Sequence, residues 1–366
     1  MAVYMTQTAI PYLFMRGGTS RGPYFNRADL PHDLDQLSKV LIAVVGSGHP
    51  LNIDGIGGGA AVTTKVAMLS PSDDDWADID YFFAQVSVED QLVDYKPTCG
   101  NILSAVGPAA IEMGLIKTSG TETEVKIRAV NTGARVVASV QTPEGVSYDG
   151  DFEIGSVPGT AAPVGLQFMD TVGGVTGAFL PTGNLIDRFE GIEMTCMDVA
   201  MPMVIARASD FDLTGYETAA ELDENTAFFA KMESVRLKAG HAMGMGDVSK
   251  SVAPKFGLLA KARDGGTIAA RYFMPWNTHP SMAVTGAQCL ASCLLTPGTV
   301  GDGLATRRQT TPAKVVLEHP SGVIDVIVDY DMEGDEISLN SAGLIRTARK
   351  IAAGDVFIPR TIWGGH

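Results

Sequence analysis

Thr63-Thr64-Lys65-Val66-Ala67-Met68-Leu69 decides how this chain of 366 residues is read. Ala253-Pro254-Lys255-Phe256-Gly257-Leu258-Leu259 says much the same at an offset near half the chain. Each segment sets one lysine ahead of an apolar run of strand length. Two more echoes fall at nearly that offset. Pro23 opens a short apolar run ending in Arg27-Ala28-Asp29-Leu30, and Pro202 opens another ending in Arg207-Ala208-Ser209-Asp210-Phe211. Thr98-Cys99-Gly100-Asn101 precedes an apolar helical stretch, as does Ala283-Val284-Thr285-Gly286-Ala287. Three echoes point to a duplicated domain, and a cleft between two related halves is a natural place for chemistry. The halves differ where it matters: one helix entrance carries a cysteine and the other an alanine.

The bulk numbers agree with two domains, since a chain this long exceeds one hydrophobic core. With 45% hydrophobic and 19% charged residues, the composition is that of a soluble globular protein. A net charge of −15 argues against nucleic acid and anionic membranes as partners. An anionic substrate must then be captured locally, by a few basic side chains and backbone N–H groups. Cys99, Cys196, Cys289 and Cys293 form neither a Cys-x-x-Cys nor a Cys/His cluster, so no metal site is expected. Reduced thiols in a cytoplasmic protein are the simplest reading. No charged region precedes an apolar N-terminal segment, and no run reaches the ~18 apolar residues of a membrane span.

Along the chain, Ile10 to Met15 reads as a strand ending in the glycine-rich Arg16-Gly17-Gly18-Thr19-Ser20-Arg21-Gly22. Adjacent glycines let backbone N–H groups turn toward an anion. Leu37 to Val45 has helical spacing, and a second loop, Ile53-Asp54-Gly55-Ile56-Gly57-Gly58-Gly59, leads to the Lys65 strand. Phe82 to Val88 reads as a strand and Asn101 to Met113 as a helix, with Pro108 in its middle. Val125–Val130 and Arg135–Val140 form a hairpin across Asn131-Thr132-Gly133. In the second half, Met203–Ala206 and Phe256–Ala260 read as strands, Ala287–Leu295 as a helix, and Val315–Val328 as a hairpin. Many short strands with few helices predict an α+β fold. The domain break is placed near Leu180-Pro181-Thr182-Gly183-Asn184.

Cys99 stands immediately before a helix, where uncapped N–H groups and the helix dipole favour a thiolate. Alone it is as readily a small core residue. The Gly100-Asn101 pair that follows leaves room and donors for a carboxylate. Lys65 heads an apolar strand, where a charged side chain is costly without a purpose; partial desolvation there would suit a base. The plain alternative is a solvent-facing residue on an edge strand. Lys255 has the same context and the same ambiguity. Arg16, Arg21, Arg271 and His279 adjoin glycine- or proline-rich turns and are suited to carboxylates, although surface arginines are common. Neither glycine loop matches a phosphate-binding or dinucleotide fingerprint. Cys289 and Cys293 fall on one helix face and read as core.

Taken together, Met15-Arg16-Gly17-Gly18-Thr19-Ser20, Ile53-Asp54-Gly55-Ile56-Gly57-Gly58, Thr64-Lys65-Val66, Cys99-Gly100-Asn101-Ile102, Leu180–Asn184 and Pro254-Lys255 resemble the PrpF-like isomerases, of the diaminopimelate epimerase fold superfamily. The likeness runs from residue 10 to Arg346-Thr347-Ala348-Arg349 and Trp363-Gly364-Gly365. Asp80–Val86, Glu193–Cys196, Leu213–Glu217 and Glu318–Gly322 resemble the branch acting on 4-oxalomesaconate in gallate breakdown. Other branches act on methylaconitate, aconitate or methylitaconate.

The resemblance implies two similar domains, 1–183 and 184–344, each a strand-rich barrel around a central helix, with residues 345–366 returning to the first. The active site is expected in the cleft between them. The implied chemistry is cofactor-free proton transfer on a small tricarboxylate, with Lys65 and Cys99 in the catalytic positions. Substrate contacts are expected from the first glycine loop (Arg16, Gly18, Thr19, Ser20, Arg21) and the second (Gly57, Gly58). Thr64, Gly100 and Asn101 complete the set in the first half; Lys255, Arg271, His279, Ser281, Thr285 and Gly286 supply it in the second. Arg21 stands where lysine is usual and Thr64 where serine is common, so charge and hydroxyl are kept. A homodimer is compatible with this reading. Ala283 occupies the slot a second thiol would need, which disfavours two-thiol racemisation. A silent carboxylate-binding protein would need neither Lys65 nor Cys99.

Overall fold

Both lysine-headed segments are strands in the computed structural model, which describes residues 6–155, 157–306 and 310–365. The chain divides into two units, Met1–Leu166 with Ile345–His366, and Gln167–Leu344.

The first unit opens with β1 (Gln7–Gly17), β2 (Ser20–Asn26), α1 (Leu34–Val45), β3 (Lys65–Pro71), β4 (Ile79–Val86) and β5 (Val93–Asp94). Two short helices, α2 (Gly100–Leu103) and α3 (Val106–Glu112), precede β6 (Glu122–Ala129), β7 (Ala134–Gln141) and β8 (Pro163–Met169). The second unit runs through β9 (Asp187–Phe189), β10 (Ile192–Asp198), β11 (Pro202–Arg207), α4 (Ala219–Glu224) and α5 (Thr226–Ala242). It continues with β12 (Lys255–Lys261), β13 (Ile268–Phe273), α6 (Val284–Leu295), β14 (Ala313–His319) and β15 (Gly322–Glu333). The last strand, β16 (Glu336–Pro359), carries the chain back.

Pairing shows the duplication directly. In the first unit β1–β2 is antiparallel, β2–β3 parallel, β3–β4 antiparallel, β4–β6 parallel and β6–β7 antiparallel. The second unit repeats this series with β10–β11, β11–β12, β12–β13, β13–β14 and β14–β15. β16 lies beside β8 and pairs with β1 from Gln7↔Pro359 to Gly17↔Ala348, so the strands of the first unit close on themselves. The unit thereby protects its sheet edges.

Strand alternation gives each sheet two apolar faces. In the first unit Val66, Met68, Ala84 and Val86 pack with Leu37, Val40, Leu41 and Val44 of α1. That helix starts where Asp33 accepts from the Gln36 N–H at 2.8 Å and stops at Gly46, whose φ of 81° suits glycine. The alternate residues Ala67, Leu69, Tyr81 and Phe83 are buried on the opposite face, the side of α2 and α3. In the second unit α6 is buried on every side from Gly286 to Leu295, among Met203, Ile205, Leu259, Tyr272, Val315 and Val326. This is what an apolar helix without a polar face requires. On the other side of that sheet, α5 covers Val204, Ala206, Phe256 and Leu258.

The structure differs from the sequence reading in several places, and β8, β9, β10 and α4 are elements that reading does not contain. The unit boundary falls at 166/167, because Phe179 and Leu180 pack against the core of the second unit. The helix expected from Asn101 to Met113 is broken: Ala105 sits at φ −100°, ψ 2°, and Pro108 has no N–H to offer the Ser104 carbonyl four residues back. α5 has no sequence counterpart, since its buried face holds Arg236 and Gly240 among the apolar residues. β16 is one strand of 24 residues, where the sequence marks only a returning segment.

Candidate active site

Lys65 is the first residue of β3 and lies directly opposite Gln85 of β4. Its Nζ donates to Gln85 Oε1 at 2.6 Å and stands 5.4 Å from the centroid of the Phe83 ring. Phe83 is followed along the same face by Tyr81, ring centroids 6.3 Å apart, and the Tyr81 hydroxyl donates to the Cys99 carbonyl at 3.4 Å. Tyr24 of β2 donates to the Ile102 carbonyl at 2.6 Å. Two fully buried phenols therefore hold the start of α2 against the sheet face that carries Lys65. Burial pushes both phenols well above their ordinary values, and the nearby Cys99 adds to that. They act as hydrogen-bond donors.

Cys99 is half-buried at the N-terminal cap of α2. The helix it heads is a single turn of four residues, so the dipole expected from a thirteen-residue helix is much reduced. What the turn supplies is placement. The turn between β1 and β2 rests on it: Asn101 Nδ2 donates to Thr19 Oγ1 at 3.0 Å, and the Thr19 N–H reaches Asn101 Oδ1 at 3.4 Å. Gly17 and Gly18 leave no room for a side chain, because a Cβ at either would run into Asn101. Thus Gly18, Thr19, Cys99, Gly100 and Asn101 converge. Ser20 is buried at the first position of β2.

Arg16 is placed behind this turn. Its guanidinium donates to the carbonyls of Gly18 (2.9 Å) and Thr347 (3.0 Å) and to Thr347 Oγ1 (3.0 Å). Burial, with Arg349 nearby, lowers its pKa from the ordinary arginine value. It shapes the loop rather than offering a free charge. Arg21 differs: it is exposed, lies 5.6 Å from the Phe14 ring centroid, and has no carboxylate partner among the described residues. Gly58 brings the second glycine loop beside it, with room for no more than a hydrogen at that point. Gly57 is held by its N–H to the Val45 carbonyl at 3.0 Å. Thr64 is fully buried and its hydroxyl donates to the Val86 carbonyl at 2.7 Å, so its part is within the fold.

The second unit gathers a smaller set. Lys255 is half-buried at the head of β12. Burial lowers its pKa below the ordinary lysine value, and the Arg236 guanidinium adds to this. Arg236 itself is fully buried, held by both Glu233 oxygens at 2.7 and 2.8 Å and by the Val248 carbonyl at 3.0 Å. Burial also lowers His279, with Lys255 adding in the same direction; its Nδ1 accepts the Ser281 N–H at 3.0 Å. Thr285 is exposed in the first turn of α6, while Gly286 lies against the Tyr272 ring where a Cβ would overlap it. Arg271 does not join them. It alternates with Tyr272 along β13, so it faces the other way and donates to the Glu217 carbonyl at 2.7 Å. Ala283 caps α6, and the three remaining thiols, Cys196, Cys289 and Cys293, are fully buried. Burial pushes Cys289 well up and Cys293 up to about 11.

Gln85, Tyr81, Tyr24 and Arg236 were not singled out from sequence. Only the alternation of Tyr81, Phe83 and Gln85 marks the first two as sharing a face.

A family profile described as PrpF protein matches residues 7–359. The Escherichia coli (strain K12) protein YbhH, named as an isomerase without a substrate, is 49% identical over 355 residues, covering 96% of this chain and 99% of its own. The 4-oxalomesaconate tautomerase of Pseudomonas putida is 45% identical over 362 residues, covering 99% of each. The crystal structure of a methylitaconate-delta-isomerase superposes with a TM-score of 0.90 at 33% identity, covering 98% of this chain and 97% of that one.

Proposed function

The chain belongs to the PrpF family of isomerases, and on that premise we propose that it tautomerises 4-oxalomesaconate, a keto–enol 1,3-proton shift in gallate breakdown. One observation carries the mechanism: a primary amine and a thiol-bearing turn belong to one face of one sheet, joined through Phe83 and Tyr81. The alternative of two opposed thiols is disfavoured, since Ala283 heads α6 and Cys289 is fully buried.

Lys65, as the free amine, takes a methylene proton made acidic by the adjoining ketone and conjugated system. The electron pair moves onto the ketone oxygen, and a proton is returned there, with Cys99 as acid or hydrogen-bond donor. Arg21, exposed and with no carboxylate partner among the described residues, is suited to hold one carboxylate of the substrate against the repulsion of a chain of net charge −15. General base catalysis of this kind is worth about 10²–10⁴-fold. The 45% identity to the Pseudomonas tautomerase supports this substrate. A second reading, isomerisation of methylitaconate or a related unsaturated acid, is supported by the likeness to the methylitaconate isomerase structure.

An ultraviolet assay against 4-oxalomesaconate, methylaconitate, aconitate and methylitaconate separates the two. The first is expected to turn over fastest. Lys65→Met is expected to abolish both turnover and exchange of the substrate methylene protons in heavy water; parental rates in that variant would remove Lys65 from the mechanism.

A further inference from the structure

Lys65 is opposed across the β3–β4 ladder by an amide, where a carboxylate would form the usual stabilising cross-strand pair. The Gln85 amide is held in one orientation. Its Nε2 is surrounded by acceptors: the Ala61 carbonyl and Thr64 Oγ1 at 3.1 Å, the Val86 carbonyl at 3.2 Å and the Thr64 carbonyl at 3.4 Å. Turning the amide over would set its oxygen against three carbonyl oxygens. Thr64 is locked in turn, because its hydroxyl proton is spent on the Val86 carbonyl at 2.7 Å and only a lone pair remains for Gln85. Donation therefore runs one way, Lys65 to Gln85 to Thr64 to Val86.

We infer that Gln85 is a positioning residue for the base, holding Lys65 Nζ by one N–H while withholding the negative charge that would keep it an ammonium. The inference rests on the reading of Lys65 as the general base. A neutral amine with one N–H tied to a neutral oxygen keeps its lone pair to take a proton, and the ammonium so formed has two further N–H bonds, one of which gives the proton back. A carboxylate within the same distance would favour the charged form. Thr64 then supports Gln85 rather than the substrate. The other charged or titratable groups on the neighbouring elements are Arg21 and Tyr24 on β2, Tyr81 on the Lys65 face of β4 with Asp80 on its other face, Asp94 opposite Gln85 on β5, and Cys99 ahead of α2. The Asp94 carboxylate is engaged by the Lys96 N–H at 2.9 Å. Phe83, beneath the amine, carries no titrating group.

The test compares Gln85→Glu and Gln85→Met with the parent. The Glu variant sets its second oxygen among the Ala61, Thr64 and Val86 carbonyls, which favours its protonated form, and is expected to move the acidic limb of the kcat/KM profile upward by about 1–2 pH units over the range in which it ionises. The Met variant, lacking the acceptor, is expected to lose about tenfold in kcat at every pH with KM little changed. Labelling of Lys65 by an amine reagent, followed by peptide mass spectrometry, reads the same shift without substrate. Coincident profiles and labelling curves in parent and Gln85→Glu, both folded by circular dichroism, overturn the inference. If Lys65→Met retains turnover while Gln85→Glu shifts the labelling, the base assignment fails and the positioning of the amine stands.

Discussion

The Tyr81 hydroxyl donates to the backbone carbonyl of Cys99, tying a fully buried sheet residue to the one thiol that is not fully buried. Tyr24 does the same for Ile102, three residues on. A one-turn helix cannot hold its own direction by internal hydrogen bonds, so the placement of Cys99 depends on these two phenols. Tyr81→Phe removes one such bond, worth about 0.5–1.5 kcal/mol. The expected result is a three- to tenfold fall in kcat/KM with a fold intact by circular dichroism, and a larger loss in the Tyr24→Phe, Tyr81→Phe double variant.

The burial of the four cysteines makes a simple count informative. Native protein treated with a chromogenic disulfide reagent should release one equivalent of thiol rapidly, and four equivalents in guanidinium chloride. Cys99→Ala should release none rapidly. A fast second equivalent in the native state would place Cys196, Cys289 or Cys293 within reach of solvent, against their full burial.

Close approach requires glycine at positions 22 and 286 as well. A Cβ at Gly22 would overlap the Lys65 carbonyl oxygen, and one at Gly286 the Tyr272 ring. Overpacking of this kind costs about 1–3 kcal/mol. Gly22→Ala is expected to lower the urea midpoint and activity together, because β2 must move away from Lys65.

Glu318 offers a pH signature. Burial pushes its carboxyl up, but N–H donors from Arg263 (2.8 Å), Gly266 (2.7 Å) and Asp264 (2.7 Å) outweigh this and hold it below the ordinary 4.5. The unfolded chain therefore binds the proton more readily, and the stabilisation is present above about pH 4.5 and fades as pH falls through the folded value. Glu318→Gln should cost about 1.5–3 kcal/mol at pH 7, measured by urea unfolding, and progressively less below pH 4.5. An equal cost at pH 3 and pH 7 would contradict this account.

What could be read from residues alone was whatever depends on near neighbours. Lys65 and Lys255 heading apolar runs, and Cys99 and Ala283 heading helices, are local patterns, and the structure keeps them. The repeated pairing series then follows from two copies of one local plan. Where a local pattern was interrupted, the reading failed: Arg236 on the buried face hid α5, and Pro108 divided a helix that its apolar spacing ran through.

Gln85 against Lys65, Tyr81 against Cys99, and Arg271 turned from Gly286 were decided by tertiary structure. Cross-strand register and the face a side chain takes depend on loop lengths and on packing between residues far apart in the chain. No local composition encodes them, so the chemical groups were legible in the sequence and their partners were not.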